Sequence, residues 1–178
     1  MEKLYLSAEA FQRDCVRLAR QIFDDAWQPQ LILGLWRGGA QPGVIMSEVF
    51  AYLGRPTPHA VVKCSSYSGI GQREDRVAFE HTQSFFASLP QGLRVLAVDD
   101  VFDSGKTAEA LKAQLTHVDL RIATVYRKPK ASLVSFLPDY VLHETEQWIV
   151  FPHEMVGLTP VELRAKDPVL ADLLLARS

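Results

Sequence analysis

The chain has 178 residues, of which 48% are hydrophobic and 22% are charged, the size and composition of one globular domain. Its formal net charge of −2 argues against strong non-specific binding to nucleic acid, which needs a basic surface. No stretch reaches the roughly 18 apolar residues that a membrane span requires, and the first residues lack the apolar run of a secretory signal. The two cysteines, Cys15 and Cys64, form no CxxC pair. We therefore expect a cytoplasmic protein with reduced thiols and no nucleic-acid or membrane partner.

The apolar pattern predicts helices and strands that alternate along the chain. Apolar residues recur at helical spacing after Ser7, which we assign as an N-cap. Further helical patterns cover residues 44–53 and 108–115, and the capping box Thr159-Pro160-Val161-Glu162 predicts another helix. Short apolar runs predict strands at residues 31–35, 60–64, 94–98, 122–126, 140–142 and 149–151.

This alternation predicts an α/β fold, with a mostly parallel twisted sheet flanked by helices. We expect a single domain over residues 1–178. Ligands of such sheets bind beyond the carboxyl ends of the strands, and the glycine-rich and charged clusters of this chain follow strand ends. Residues 65–76 are polar, contain glycine and show no periodicity, so we expect a mobile loop there.

Residues 94–107 carry the most information, because an apolar strand leads into Asp99 and Asp100 and then into the start of a helix. Backbone N–H groups at a helix N-terminus, with the hydroxyls of Ser104 and Thr107, form a cradle for a phosphate monoester. The preceding carboxylates would repel a bare phosphate but suit hydroxyl groups or a metal ion. The segment therefore predicts a ligand such as a ribose 5-phosphate, with a diol or Mg²⁺ at the end opposite its phosphate.

Other interpretations of this segment account for less of it. Gly105-Lys106-Thr107 matches the end of a Walker A loop, but that motif needs glycine where this chain has Asp100. The acidic pocket of a response regulator also contains adjacent aspartates, but earlier in its chain. A plain strand followed by a capped helix would explain one aspartate in the turn, but it does not explain the whole string.

The string from Arg94 to Thr107 resembles the signature with which type I phosphoribosyltransferases bind PRPP (5-phosphoribosyl 1-diphosphate). That signature is an apolar strand, two acids, two apolar residues and Asp-Ser/Thr-Gly-x-Thr; Phe102 is bulkier than the usual aliphatic residue. The resemblance implies that Asp99 and Asp100 face the ribose hydroxyls, directly or through Mg²⁺. It also implies a 5-phosphate site lined by Asp103, Ser104, Gly105, Lys106 and Thr107. In the purine branch of the family, the aspartate at the position of Asp103 is the candidate general base.

Two more segments resemble parts of the same family. Arg37-Gly38-Gly39 follows the first core strand and resembles the pyrophosphate loop, where glycines let backbone amides approach an anion and arginine suits phosphate oxygens. Relatives often hold a non-proline cis peptide in this loop, which makes Trp36–Arg37 the candidate bond.

Residues from about 65 to 77 resemble the flexible hood loop of the family, which closes over the active site and excludes water. The hood-loop residues that match are Ser65, Ser66 and Tyr67, and Arg73 is assigned to PRPP binding. The resemblance therefore implies a water-free site during transfer.

The acceptor is indicated by a base-recognition segment at about residues 127–154. Its order resembles that of hypoxanthine-guanine and xanthine phosphoribosyltransferases, with the bacterial xanthine-guanine enzymes the closer likeness. The resemblance implies that Lys128 donates to the purine O6, that Trp148 stacks on the ring and that the backbone of Ile149 reads the purine edge. Lysine carries only donors, so it favours a 6-oxo over a 6-amino group. Glu154 matches an acid that helps bind a second Mg²⁺, although relatives usually have aspartate there.

The sequence thus predicts a purine-salvage enzyme that uses Mg²⁺ and PRPP, with hypoxanthine, guanine and xanthine unranked. Taken alone, Lys128 is better explained as a surface lysine and Trp148 as a core or surface aromatic; their joint order after a PRPP signature supports the assignment. Two alternatives stay open: transfer to another base, and a regulatory protein that binds PRPP without turnover. Family habit implies a homo-oligomer, either a dimer or a tetramer.

Overall fold

Helices and strands alternate along most of the chain. The structure is a computed structural model that describes residues 3–67 and 76–176. Its strands are β1 Lys3–Tyr5, β2 Leu31–Trp36, β3 His59–Tyr67, β4 Arg76–Phe79, β5 Arg94–Phe102, β6 Asp119–Arg127, β7 Tyr140–Glu144 and β8 Trp148–Val150. Its helices are α1 Ala8–Phe23, α2 Ala40–Tyr52, α3 Gln83–Ser88, α4 Lys106–Gln114, α5 Pro160–Lys166 and α6 Pro168–Leu175, with a short 3-10 turn at Pro129–Ala131.

The larger of two compact units, Asp14–Glu146, is built around a six-stranded sheet. The strand order is β4-β3-β2-β5-β6-β7, and every pairing is parallel except that of β3 with β4. The first five residues of β2 are all buried, as expected for a strand covered on both faces. The predicted α/β fold with a mostly parallel sheet is therefore confirmed.

Apolar side chains cover both faces of this sheet. Leu31, Leu33 and Leu35 belong to one buried cluster, which also contains side chains of β5 and α4. Ile32, between them, is 1% exposed and faces the opposite side because strand side chains alternate. Helix α2 contacts β2 and β5, and its Phe50 is completely buried. This two-sided core fixes the strand ends that carry the candidate site.

The smaller unit comprises Met1–Arg13 and Gln147–Ser178. Strands β1 and β8 pair in parallel, and α5 and α6 contact each other. The predicted capping box opens α5: the Glu162 N–H donates to Thr159 Oγ1 at 3.3 Å, and the Glu162 carboxylate accepts from the Thr159 N–H at 2.9 Å. Lys3 also donates to the Glu162 carboxylate. The single-domain expectation for the whole chain stays a prediction, and each unit is described by itself.

The expected N-cap at Ser7 and the expected free thiols are confirmed. The Ser7 hydroxyl accepts from the Ala10 N–H at 3.1 Å, as an N-cap does. Cys15 and Cys64 are both free thiols. Among the helices that the structure describes, none combines the length and the apolar character needed to cross a membrane.

Two predicted boundaries are wrong at the carboxyl edge of the sheet. Strand β5 does not end at residue 98 but runs to Phe102, because its backbone stays paired with β6 beyond the apolar run. Asp99 and Asp100 therefore lie within the strand and not after it. Helix α2 begins at Ala40, four residues before the predicted start, and its first turns bury Pro42 and Gly43.

The hood loop is also shorter than predicted at both ends. Strand β3 continues through Ser65 and Ser66 to Tyr67, and β4 begins at Arg76, which pairs with Tyr67. Antiparallel pairing supplies the backbone hydrogen bonds of this polar segment, so it forms strand without an apolar pattern. The rest of the predicted loop, including Arg73, lies outside the described residues.

Candidate active site

The carboxyl ends of β2 and β5 meet at the Arg37-Gly38-Gly39 loop. A Cβ atom on Gly38 would lie 2.3 Å from Asp100 Oδ1, and one on Gly39 would lie 2.0 Å from the Val98 carbonyl oxygen. Only glycine lets the loop approach the acidic strand this closely. The Trp36–Arg37 peptide bond is cis, as predicted, and the Arg37 side chain is exposed. The structure therefore brings the predicted pyrophosphate loop against the acidic pair.

The two adjacent aspartates differ in their surroundings. Asp100 is 7% exposed, while Asp99 is partly buried and its carboxylate accepts from the Asp100 N–H at 3.1 Å. Burial and the neighbouring Asp100 carboxylate raise the pKa of Asp99 well above its ordinary value, against the lowering effect of the backbone N–H groups of Asp100 and Gly39. Because neighbouring carboxylates repel each other, this pair favours the binding of a cation or of hydroxyl donors.

Both thiols of the chain lie near the acidic pair. Burial, followed by the charges of Asp14 and Asp100, raises the pKa of Cys15 to about 12. Burial and then the charge of Asp99 raise the pKa of Cys64 to about 11, and its thiol donates to the Trp36 carbonyl at 3.2 Å. Both cysteines are therefore protonated at neutral pH, so they are poor nucleophiles.

The loop after β5 turns sharply into α4. Gly105 caps this helix with φ 81°, a left-handed conformation that favours glycine. A Cβ atom there would also meet Val134 at 2.4 Å and Phe102 at 2.8 Å. The Ser104 hydroxyl accepts from the Lys106 N–H at 3.4 Å. The predicted 5-phosphate site, the phosphate loop of residues 103–107, therefore has the compact turn and the helix N-terminus that an anion site requires.

A cavity of about 80 Å³ lies inside this loop. Its polar lining comprises Asp99, Asp103, Ser104, Thr107 and Thr124. Its remaining lining comprises Leu35, Val101, Phe102, Gly105, Ala108 and Ile122. The lining thus combines carboxylates with hydroxyl groups of the loop, the two kinds of group that the predicted ligand requires.

Lys128 follows β6 and lies beside this loop. Its N–H donates to the Phe102 carbonyl at 2.9 Å, and its Nζ donates to Asp103 Oδ2 at 3.4 Å. The Lys128 side chain is 12% exposed, and the Asp103 side chain is 48% exposed. The predicted base-binding lysine and the predicted general base thus form an ion pair in the larger unit.

The other predicted base-recognition residues belong to the smaller unit. Trp148 is 49% exposed, whereas Ile149, its neighbour in β8, is buried. The Glu154 carboxylate accepts from the Phe151 N–H at 3.1 Å, so it already stabilises its own turn. Within the described part of the chain, no group of three or more His, Cys, Asp or Glu residues is arranged to hold a metal.

Sequence reasoning missed Thr124 as part of the cavity. It lies in the middle of an apolar strand, where a threonine is unremarkable, and only the register of β6 against β5 sets it opposite Asp99. That pairing is a long-range feature without a local signal. The contact of Gly38 with Asp100 was missed for the same reason.

Comparison with known proteins points to one family. The family model described as phosphoribosyl transferase domain matches residues 3–156. The xanthine-guanine phosphoribosyltransferase of Idiomarina loihiensis is 30% identical over 86% of this chain and 88% of the relative. That of Roseobacter denitrificans is 29% identical over 85% of each chain. The crystal structure of a purine phosphoribosyltransferase from Pyrococcus horikoshii superposes with a TM-score of 0.70 at 29% identity, covering 89% of this chain and 99% of that one.

Proposed function

The chain belongs to the phosphoribosyl transferase domain family, and from this premise we propose that it is a purine phosphoribosyltransferase. It transfers the 5-phosphoribosyl group of PRPP to a 6-oxopurine base in purine salvage and releases diphosphate. One observation carries the proposal: Lys128 pairs with Asp103 at the rim of the cavity formed by the acidic strand and the phosphate loop. This pair supplies a donor that suits a 6-oxo group and a carboxylate that can accept the proton of the base.

The donor half of the site binds PRPP. The 5-phosphate accepts from backbone N–H groups and hydroxyls of residues 103–107, and the α4 dipole favours its charge. Asp99 and Asp100 accept from the ribose hydroxyls, directly or through a bound cation. The exposed Arg37 guanidinium binds the diphosphate next to Gly38 and Gly39.

Mg²⁺ fits the donor set of this site. It prefers carboxylate oxygens and usually binds through one or two of them together with substrate phosphates, and Asp99 and Asp100 are adjacent in β5. We assign these two aspartates to hold the ion, with Glu154 for a second one. When bound, Mg²⁺ would neutralise the charge of the departing diphosphate.

The acceptor is a base with an oxygen at C6. Lys128 donates to this oxygen, Trp148 stacks on the ring and the backbone of Ile149 reads the purine edge. As the C1–O bond of PRPP breaks, a purine ring nitrogen bonds to C1, and Asp103 accepts the proton that the base releases. Arg37 stabilises the diphosphate that leaves. Homo-oligomer formation and a cytoplasmic location belong to the same proposal.

The test is diphosphate release from PRPP and Mg²⁺ with hypoxanthine, guanine, xanthine, adenine, uracil or orotate supplied separately. We expect turnover with 6-oxopurines. Asp103→Asn should lower kcat by roughly 10²–10⁴-fold, because it removes the proton acceptor. Lys128→Ala should raise the KM for the base roughly 10–100-fold, through loss of a charged hydrogen bond.

Lys130→Ala is the matched control for Lys128→Ala, because Lys130 is an exposed lysine two residues further along the chain. It should retain wild-type kinetics. Turnover with only adenine or a pyrimidine would contradict the Lys128 and Trp148 assignments and leave the PRPP site standing. PRPP binding without turnover on any base would favour the regulatory alternative.

A further inference from the structure

Thr124 has a buried hydroxyl without a hydrogen-bond partner in the described residues. The residue is 1% exposed. Among the described residues, three buried side-chain atoms lack a hydrogen-bond partner: Thr124 Oγ1, His117 Nε2 and Arg127 Nε. Buried hydroxyls nearly always have a partner. Thr124 lines the active-site cavity, whereas His117 and Arg127 do not.

Strand register sets Thr124 beside Asp99. The two residues are direct neighbours in the parallel pairing of β5 with β6, and both line the cavity. Paired strands lie roughly 4.8 Å apart, and register partners of a parallel pair project from the same face. The threonine side chain has other staggered positions, and rotation among them is the route by which its hydroxyl would reach the Asp99 carboxylate.

Packing alone gives no reason for a hydroxyl at this position. The neighbouring β6 residues Ile122, Ala123 and Val125 are apolar and almost completely buried. Valine has nearly the shape of threonine and no hydroxyl to desolvate. A partner that arrives with the substrate would account for this hydroxyl.

We propose that Thr124 is a positioning residue for Asp99 in the PRPP complex, an inference that rests on the proposed function. A carboxylate can accept several hydrogen bonds at its two oxygens. When a ribose hydroxyl occupies one oxygen of Asp99, the Thr124 hydroxyl donates to the other and holds the carboxylate in place. Thr124 itself does not touch the reacting atoms.

Thr124→Val separates this role from a structural one. The free protein loses an unsatisfied hydroxyl, so it should melt at the same temperature as the wild type or higher. Binding of PRPP with Mg²⁺ should weaken by roughly tenfold or more, because a hydrogen bond to a charged group is lost. The KM for PRPP should rise to match, while kcat at saturation and the KM for the base stay unchanged. Thr124→Ser, which keeps the hydroxyl, should restore PRPP binding.

Calorimetric titration of both variants and the wild type with PRPP and Mg²⁺ tests the proposal, with melting curves of the free proteins alongside. Ribose 5-phosphate and inorganic phosphate, measured by competition with PRPP, are further probes. Thr124→Val should weaken ribose 5-phosphate binding and leave inorganic phosphate binding unchanged, because only the sugar has hydroxyls for Asp99. An equal loss for both probes would overturn the role through Asp99.

The remaining outcomes are equally decisive. Wild-type affinity for PRPP in Thr124→Val, or a lower melting temperature of that free variant, would overturn the inference and leave the proposed function intact. No PRPP binding by the wild-type protein would overturn the proposed function and this inference with it. The two failures are therefore distinguishable in the same experiment.

Discussion

Because glycine has no side chain, Gly38 can lie directly against another residue of the candidate site. Its Cα lies against the carboxylate of Asp100, so an added Cβ would stand 2.3 Å from Oδ1 and 2.5 Å from Oδ2. Asp100 is 7% exposed and has little room to move away. The glycine therefore leaves the acidic side chain in its present position, and in the proposed function it also lets the loop amides reach the diphosphate.

Gly38→Ala should displace the Asp100 carboxylate. We expect PRPP affinity in the presence of Mg²⁺ to fall by roughly tenfold or more, and the free energy of unfolding to fall by about 1–3 kcal/mol through overpacking. Calorimetric titration and urea unfolding measure the two effects. Gly54→Ala is the control, since Gly54 has φ 83° and nothing within 4 Å of an added Cβ.

That control should lose about 1 kcal/mol of stability through backbone strain and keep the affinity of the wild type. Unchanged PRPP binding in Gly38→Ala would contradict the importance of the Gly38 contact. A loss of binding in both variants would show that lowered stability, and not the position of Asp100, is the cause.

Single positions also show what the sequence can predict. Arg37-Gly38-Gly39 and the acidic pair were each recognised from adjacent residues, and the cis bond at Trp36–Arg37 is confirmed. The steric contact between Gly38 and Asp100 and the pairing of Thr124 with Asp99 were not predicted. Both depend on which strands are neighbours and in what register, and separate segments of the sequence do not contain that information.

Helix α5 shows how the last part of the chain supports a loop of the candidate site. Lys166, its last residue, donates through Nζ to the carbonyls of Phe151, at 2.7 Å, and Pro152, at 2.9 Å, and also to that of Glu154. The helix lies beyond residue 156, where the family match ends. One ammonium group therefore holds together the turn that carries Glu154.

Lys166→Met keeps most of the side-chain length and removes this donor. Three partly buried carbonyls lose their charged partner, so we expect the free energy of unfolding to fall by about 1–3 kcal/mol in urea. Arg164→Met is the control in the same helix, because Arg164 forms an exposed ion pair with Asp172 at 2.7 Å. Exposed pairs contribute roughly 0–1 kcal/mol. Equal effects of the two substitutions would argue against a special role for Lys166.

Element boundaries were predicted less well than element types. Strand β5 extends past its apolar run because pairing with β6 continues through the aspartates, and β3 extends into serines because β4 pairs with it. Strand β1, with three residues, and α3, with six, are too short to show a period. Tertiary pairing decides these boundaries, whereas long apolar runs such as β2 are recognisable locally.

The chain as a whole divides its candidate residues between two compact units. The candidates for PRPP, from Arg37 to Thr107, and Lys128 belong to the unit with the six-stranded sheet. Trp148, Ile149 and Glu154 belong to the unit with β1 and β8. Most of the donor site could be predicted from the continuous signature at residues 94–107, but the base-recognition residues were assigned only through their order along the chain.

The stability of the larger unit comes from apolar side chains on both faces of its sheet, so we expect magnesium to serve the reaction and not the fold. A chelator should abolish turnover and leave the melting temperature of the ligand-free protein unchanged. PRPP at about a hundred times its Kd should stabilise the protein by about 2.7 kcal/mol in the presence of Mg²⁺ and much less in the chelator. Calorimetric melting curves with and without PRPP, before and after Mg²⁺ is restored, provide the measurement.

Turnover that persists in the chelator would contradict the assignment of Asp99 and Asp100 as metal ligands. A large fall in the melting temperature of the ligand-free protein would instead reveal a structural metal.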